Sequence, residues 1–133
     1  MAVKVVYDST RGLVQENDAT GAGGFEIKDA FLDQGVEGTV AAPIVAVNGG
    51  TAITTSGVTL VKTNANNDLV TVADAAAANI GQMKTIIYLV GAGDAAHDLK
   101  VNANGQLLTT LEDQGDVALL MWNGTDWLLV GQS

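Results

Sequence analysis

The residues whose types and spacing suit chemistry begin with Ile86-Ile-Tyr-Leu-Val followed by Gly91-x-Gly93-x-x-Ala96. This has the form of a dinucleotide-binding turn, in which glycines bring the backbone close to a pyrophosphate at a helix N-terminus. The continuation does not fit. A long helix must follow, whereas His97-Asp-Leu-Lys-Val-Asn-Ala-Asn-Gly105 carries a strand-like pair and an Asn-Gly turn. Only 37 residues remain after Ala96 (133 − 96), too few for the rest of a doubly wound sheet. The segment reads as a glycine-rich hairpin or loop, and no cofactor is expected.

His97 is the only histidine, with Asp94 and Asp98 beside it. One imidazole and two carboxylates resemble a metal set, but three neighbouring loop residues rarely converge without further ligands. A solvent-exposed loop histidine is expected. A Ser-His-Asp triad has to use His97, and Ser9, Ser56 and Ser133 sit in no nucleophile-elbow context. Asn64-x-Asn66-x-Asp68 opens like a calcium loop but has Leu69 at the sixth position and Ala75 at the twelfth. It reads as a polar turn. Glu112, Asp113 and Asp116 form a second acidic turn, and a paired-carboxylate glycan hydrolase rests on such residues alone. No catalytic residue and no metal are assigned, and the chain is expected not to be an enzyme.

The elements that position these residues are strands. Asp116-Val-Ala-Leu-Leu-Met-Trp-Asn-Gly-Thr-Asp-Trp-Leu-Leu-Val-Gly131 flanks Asn123-Gly124 with two apolar runs, each carrying a Trp. Asn-Gly is the strongest short hairpin signal, because a type I′ turn needs positive φ at both central residues. Alternation puts Ala118, Leu120 and Trp122 on one face and Val117, Leu119 and Met121 on the other. Both faces are apolar, so the hairpin is buried on both sides, in a core or at a subunit interface. Trp122 and Trp127 therefore read as packing residues before a sugar-stacking platform.

Val3–Tyr7 reads as a short strand or an extended arm, and further strands are expected at Gly38–Val47 (an edge or bulge at Pro43), Ala52–Thr55, Val58–Lys62 and Leu69–Val72. Met83–Val90, Leu99–Asn102, Gln106–Leu111, Val117–Trp122 and Trp127–Val130 follow, each bounded by Gly, Asn or Asp. Ala73–Ile80 is too short for an independent helix and reads as a loop with at most one helical turn. The fold class is all-β: a single antiparallel β-sandwich or jelly-roll-like barrel. Residues 1–24 are polar and Gly-rich, ending in Gly21-Ala-Gly-Gly24, and read as an extended N-terminal arm. Residues 25–133 form the β domain.

Composition narrows the function classes. The 133 residues carry 15 acidic and 6 basic side chains, for a formal charge of −9. No Lys/Arg stripe exists to neutralise phosphates, so nucleic acid is not expected as a partner. There is no cysteine, hence no disulfide framework and no thiolate site. The opening Met1-Ala-Val-Lys-Val-Val-Tyr-Asp8 breaks into charge too early for a signal peptide. No apolar run, Ile86–Val90 included, approaches a membrane span. A soluble protein with no membrane partner is expected.

From about Val58 to Gly131 the chain resembles a repeat of tailed-phage virion proteins, namely head decoration (cement) proteins and domains of tail fibres. The resemblance rests on Val70-Thr-Val-Ala-Asp-Ala-Ala-Ala-Ala-Asn-Ile-Gly81, a strand, Ala-rich segment and Gly, followed by the strand Thr85–Val90. It closes on Asn123-Gly-Thr-Asp-Trp127, the turn-and-Trp that ends such domains. The usual Leu-Pro before the Ala-rich segment is replaced by Val72-Ala73. Val3-Lys-Val-Val-Tyr-Asp-Ser-Thr-Arg-Gly-Leu-Val-Gln15 is similar to the N-terminal arm of small phage structural proteins.

The resemblance implies a homotrimer on the virion head surface that binds the major capsid protein and stabilises the shell. It implies no catalytic residue and no small-molecule substrate. A tail-fibre or receptor-binding domain is the alternative. The candidate assembly residues are Val3, Val5, Tyr7 and Leu13 in the arm, with Trp122 and Trp127 in the final hairpin.

Overall fold

A computed structural model describes residues 4–8, 12–16, 26–27, 35–55, 57–90 and 97–133. The chain divides into two compact units, Met1–Gln34 and Gly35–Ser133. In the first unit, β1 (Lys4–Asp8) pairs antiparallel with β2 (Gly12–Glu16), which pairs antiparallel with β3 (Glu26–Ile27). Tyr7 stands opposite Leu13 and Val5 opposite Gln15. Val3 and much of the expected 1–24 arm lie outside the described residues, as does Gly91–Ala96.

The second unit is built wholly of strands and turns among its described residues. They are β4 (Val36–Glu37), β5 (Ile44–Ala46), β6 (Thr51–Ile53), β7 (Val58–Thr63), β8 (Asp68–Val72), β9 (Met83–Val90), β10 (Leu99–Ala103), β11 (Gln106–Leu111), β12 (Val117–Trp122) and β13 (Trp127–Gln132). The all-β reading holds. The antiparallel one needs correction.

One sheet has the order β11-β10-β8-β6 and the other β13-β12-β9-β7-β4, with β5 beside β4 on the same edge of β7. From β5 to β10 the chain passes back and forth between the two sheets, as in a short β-solenoid. Successive strands of one sheet are therefore parallel: β6 with β8, β8 with β10, β5 with β7, and β7 with β9. Only the last strands turn back as antiparallel neighbours, β10 with β11 and β9 with β12 with β13. The sheets are mixed.

Period-2 patterning explains why both sheets share one interior. Thr59, Val61 and Thr63 of β7 are buried, as are Lys84, Ile86 and Tyr88 of β9, while the alternate residues are half-buried. Parallel register stacks like on like. Val61 lies beside Tyr88, and Ile53, Val72 and Ala103 line up across β6, β8 and β10. Ala118, Leu120, Trp122 and Trp127 complete the same apolar cluster from the other sheet.

The expected strand over Gly38–Val47 is instead interrupted. Residues 39–42 form a turn held by Thr39 N–H to Ala42 O (3.0 Å) and Ala42 N–H to Thr39 Oγ1 (2.9 Å). Gly38 begins it with φ +81°, and a Cβ there would stand 2.9 Å from Leu60 O. Pro43 precedes β5 at the edge of the sheet, where no ladder donor is required of it.

Candidate functional site

The two Asn-Gly turns behave differently. Asn104-Gly105 joins β10 to β11 with positive φ at both residues (50° and 71°) and Ala103 opposite Gln106, as a two-residue type I′ turn requires. Asn123-Gly124 does not. Here Trp122 stands opposite Trp127, so the loop has four residues, and of these only Gly124 has positive φ. The Asn123 side-chain oxygen accepts N–H bonds from Thr125 (2.8 Å) and Asp126 (2.7 Å), which replaces the expected turn with an Asx-type loop.

Tertiary contacts set that register. The two indoles meet at 5.4 Å between centroids, tilted by 57°. Trp127 Nε1 donates to Ala73 O (2.9 Å) and Trp122 Nε1 to Ala76 O (3.1 Å). The Ala-rich loop of residues 73–81 is thus seated on the tryptophan pair. Gly124 meets the same loop closely, since a Cβ there would lie 3.0 Å from Ile80 Cγ1. Both indoles are core groups, Trp127 being only 2% exposed. Neither ring is presented for a sugar to stack on, and the exposed apolar groups of this hairpin are other residues.

Those residues are Leu128, Leu129 and Val130, which sequence reasoning did not single out. All three are exposed, Val130 by 55%. β13 is the outermost strand of its sheet and β11 the outermost of the other. Thr109 Oγ1 of β11 donates to Gln132 Oε1 of β13, so the two edges lie side by side. Gln106–Leu111 and Trp127–Gln132 contain no charged residue, and Leu107 adds another exposed aliphatic group. A cleft of about 260 Å³ opens on this flank, lined by Leu108, Trp127, Leu128, Leu129, Asn104 and Asp126 among others. Asn104 Nδ2 closes one end by donating to Asp126 Oδ1 (2.5 Å).

Asp68, Asn66 and Asp116, weighed for metal binding or catalysis, hold local structure. Asp68 is buried, and its Oδ2 accepts the N–H groups of Asn64 and Ala65 (2.7 Å each). Asn66 Oδ1 accepts the Asp98 N–H (2.8 Å). Asp116 Oδ2 closes its own turn on the N–H groups of Glu112 (3.1 Å) and Asp113 (3.0 Å). Among the described residues no three His, Cys, Asp or Glu side chains converge on a metal-sized site.

His97 is half-buried, in place of the exposed loop position expected of it. Tyr88 OH donates to His97 O (2.8 Å) and lies 3.0 Å from Thr63 Oγ1, which is 3.3 Å from His97 Nδ1. With the tyrosine proton committed to the carbonyl, Thr63 donates to Tyr88 and accepts from His97 Nδ1–H. The hydroxyl of Thr63 is fully enclosed, and this His–Thr pair ties β7 and β9 to the residues that lead into β10.

The strongest electrostatic feature is a buried lysine. Lys84 of β9 is 0% exposed, donates to Thr59 Oγ1 and lies 3.9 Å from Glu37 Oε2. That carboxylate oxygen also accepts from Thr59 Oγ1 (2.9 Å), Thr54 N–H (2.9 Å) and Thr54 Oγ1 (3.2 Å). Burial pulls the Lys84 ammonium down from 10.5 to about 8, and Glu37 partly opposes the fall. Sequence alternation places Lys84 on the face of Ile86 and Tyr88, a signal that was available. Its partner, 47 positions away, was not. The cluster ties β4 to β7 and β9 and to the end of β6.

No protein-family model matches this sequence, and no curated protein matches it.

Proposed function

We propose that this chain is a non-enzymatic capsid decoration (cement) protein of a tailed phage, a homotrimer that binds the outer head surface and stabilises the shell. The observation that carries the reading is the uncharged flank of β11 and β13. An otherwise acidic chain leaves Leu107, Leu128, Leu129 and Val130 exposed together beside two open sheet edges, which is the form of an assembly surface. The way the Ala-rich segment rests on the closing Trp pair supports the likeness to virion β domains, because it gives both halves of that motif one packing role. The two sheets, sharing one interior, serve as a rigid sandwich-like platform, and residues 1–24 serve as the docking arm toward the major capsid protein.

The cleft beside Trp127 favours one second reading, a tail-fibre or receptor-binding domain, since it is a concave place beside polar groups. Adding the purified chain to shells that lack it, for the virus that encodes it, separates the two. Electron microscopy is expected to find it at many symmetry-related positions on the head. Attachment at the tail alone supports the second reading, and no attachment to either refutes both.

A further inference from the structure

We propose that copies of this chain associate head to tail, the β11/β13 flank of one molecule against the β4/β5/β6 flank of the next, so that the six-stranded sheet continues from copy to copy. This deepens the assembly reading above by naming the junction, and it rests on that reading only in taking the partner to be the same chain.

The second flank matches the first. β4 and β5 close the other edge of the six-stranded sheet, and β6 closes the other edge of the four-stranded sheet. No charged side chain occurs from Gly38 to Val61, the longest such stretch in the sequence. Val36, Val40, Val45 and Val47 are exposed there, Val40 by 79%. Glu37, the one carboxylate on β4, turns its Oε2 toward Thr54, Thr59 and Lys84. Among the described residues of Gly35–Ser133, an aliphatic sheet edge with no further strand beyond it therefore stands at each end of the sheets.

Charge selects the partner. Asp74, Asp98, Glu112, Asp113, Asp116 and Asp126 all lie in the turns and loops at strand ends. Two copies of a chain with charge −9 repel wherever those turns face one another. Among the described residues the two flanks are where they can meet with few opposing carboxylates, Asp126 being engaged by Asn104 Nδ2 and Glu37 by Thr54 and Thr59. Strand direction agrees. β5, β7 and β9 run parallel, β12 runs against them and β13 against β12, so β13 points the same way as β5. A rotation about an axis along the strands then lays β13 parallel to the next copy's β5.

Self-pairing through β13 alone leaves the valine edge of both partners open. Head-to-tail contact covers both edges of every copy once the ring closes.

Sedimentation velocity on the full chain and on Val130→Lys and Val45→Lys tests this. Both substitutions fall at exposed positions and lower the net negative charge, so neither adds general repulsion. The unaltered chain is expected to be oligomeric. Each variant alone should be monomeric, with the association concentration raised about 100-fold by a lysine left unpaired in the junction. Mixed in equal amounts, the two variants should form a heterodimer, because one unaltered β13 still faces one unaltered β5.

A Val45→Lys protein that keeps the original size overturns the proposal in favour of β13 self-pairing. So does a mixture that stays monomeric, or an unaltered chain that is monomeric throughout. A monomer that still coats shells overturns only this inference and leaves the decoration reading standing. If circular dichroism shows either variant misfolded, Leu128→Lys with Val40→Lys repeats the test on the same two flanks.

Discussion

Trp127→Ala is expected to destabilise the Gly35–Ser133 unit by about 4 kcal/mol, the largest loss of any single truncation in this fold. The indole is almost wholly buried, faces Trp122 at 5.4 Å, and donates to Ala73 O, so three contributions go together. Its removal opens a cavity, ends an aromatic pair and leaves the Ala73 carbonyl without its indole donor. Urea titration followed by circular dichroism measures the effect. Trp127→Phe separates the parts: it keeps most of the packing and is expected to lose about half as much. Leu128→Ala, next in sequence but exposed, is expected to change stability by less than about 0.5 kcal/mol. A similar loss for Trp127→Ala and Leu128→Ala would show that the hairpin packs differently.

Glu37→Ala comes second, with an expected loss of about 3 kcal/mol. The substitution removes one acceptor from two Thr54 donors and from Thr59, and takes away the carboxylate nearest a buried ammonium. Glu37→Gln, which keeps an acceptor but no charge, is expected to fall between wild type and Glu37→Ala.

The pH dependence carries a sign of its own. Lys84 titrates near 8 in the fold, below the 10.5 of an unburied lysine. Below pH 8 it is charged in both states, and the burial penalty is fully present. Between 8 and 10.5 the unfolded chain binds more protons than the folded one, so the Lys84 contribution to stability rises with pH. Above 10.5 the penalty is gone. The rise is on the order of 2 kcal/mol, allowing for screening beside a partly exposed carboxylate. It is read as the difference between wild type and Lys84→Met in urea midpoints at pH 7 and pH 10. Glu37→Ala should move its onset to lower pH, since the raising effect of that carboxylate on Lys84 is then gone.

Strand positions were more legible than strand pairing, for a physical reason. Met83–Val90, Gln106–Leu111 and Val117–Trp122 have the bounds that their apolar runs and flanking Gly, Asn and Asp residues indicate. An alternating strand, however, has the same pattern whether its neighbour runs parallel or antiparallel. What decides is the route of each connection, and the loops at 64–67 and 73–82 carry the chain from one sheet to the other. The two Asn-Gly pairs make the same point locally. Asn104-Gly105 follows its intrinsic preference. At Asn123-Gly124 two indole hydrogen bonds and the Ala-rich loop impose a longer turn.

The candidate site was legible in outline only. Of the two apolar faces on the final hairpin, Ala118, Leu120 and Trp122 are buried and Val117, Leu119 and Met121 only half-buried, and the tryptophans drew attention away from the exposed Leu128, Leu129 and Val130. Leu128 and Leu129 keep regular register from Trp127 and the shift falls at Val130, so their exposure follows from β13 being the last strand of its sheet among the described residues. Alternation on β9 marked Lys84 as inward-facing, but nothing in the sequence paired it with Glu37, 47 positions away.

The most direct test of the decoration reading is the temperature at which heads release their DNA, measured by dye fluorescence with and without the added chain. Saturating addition is expected to raise that temperature by several degrees, and Val130→Lys, impaired in the junction, to give a smaller rise. An unchanged release temperature on fully coated heads would contradict that reading.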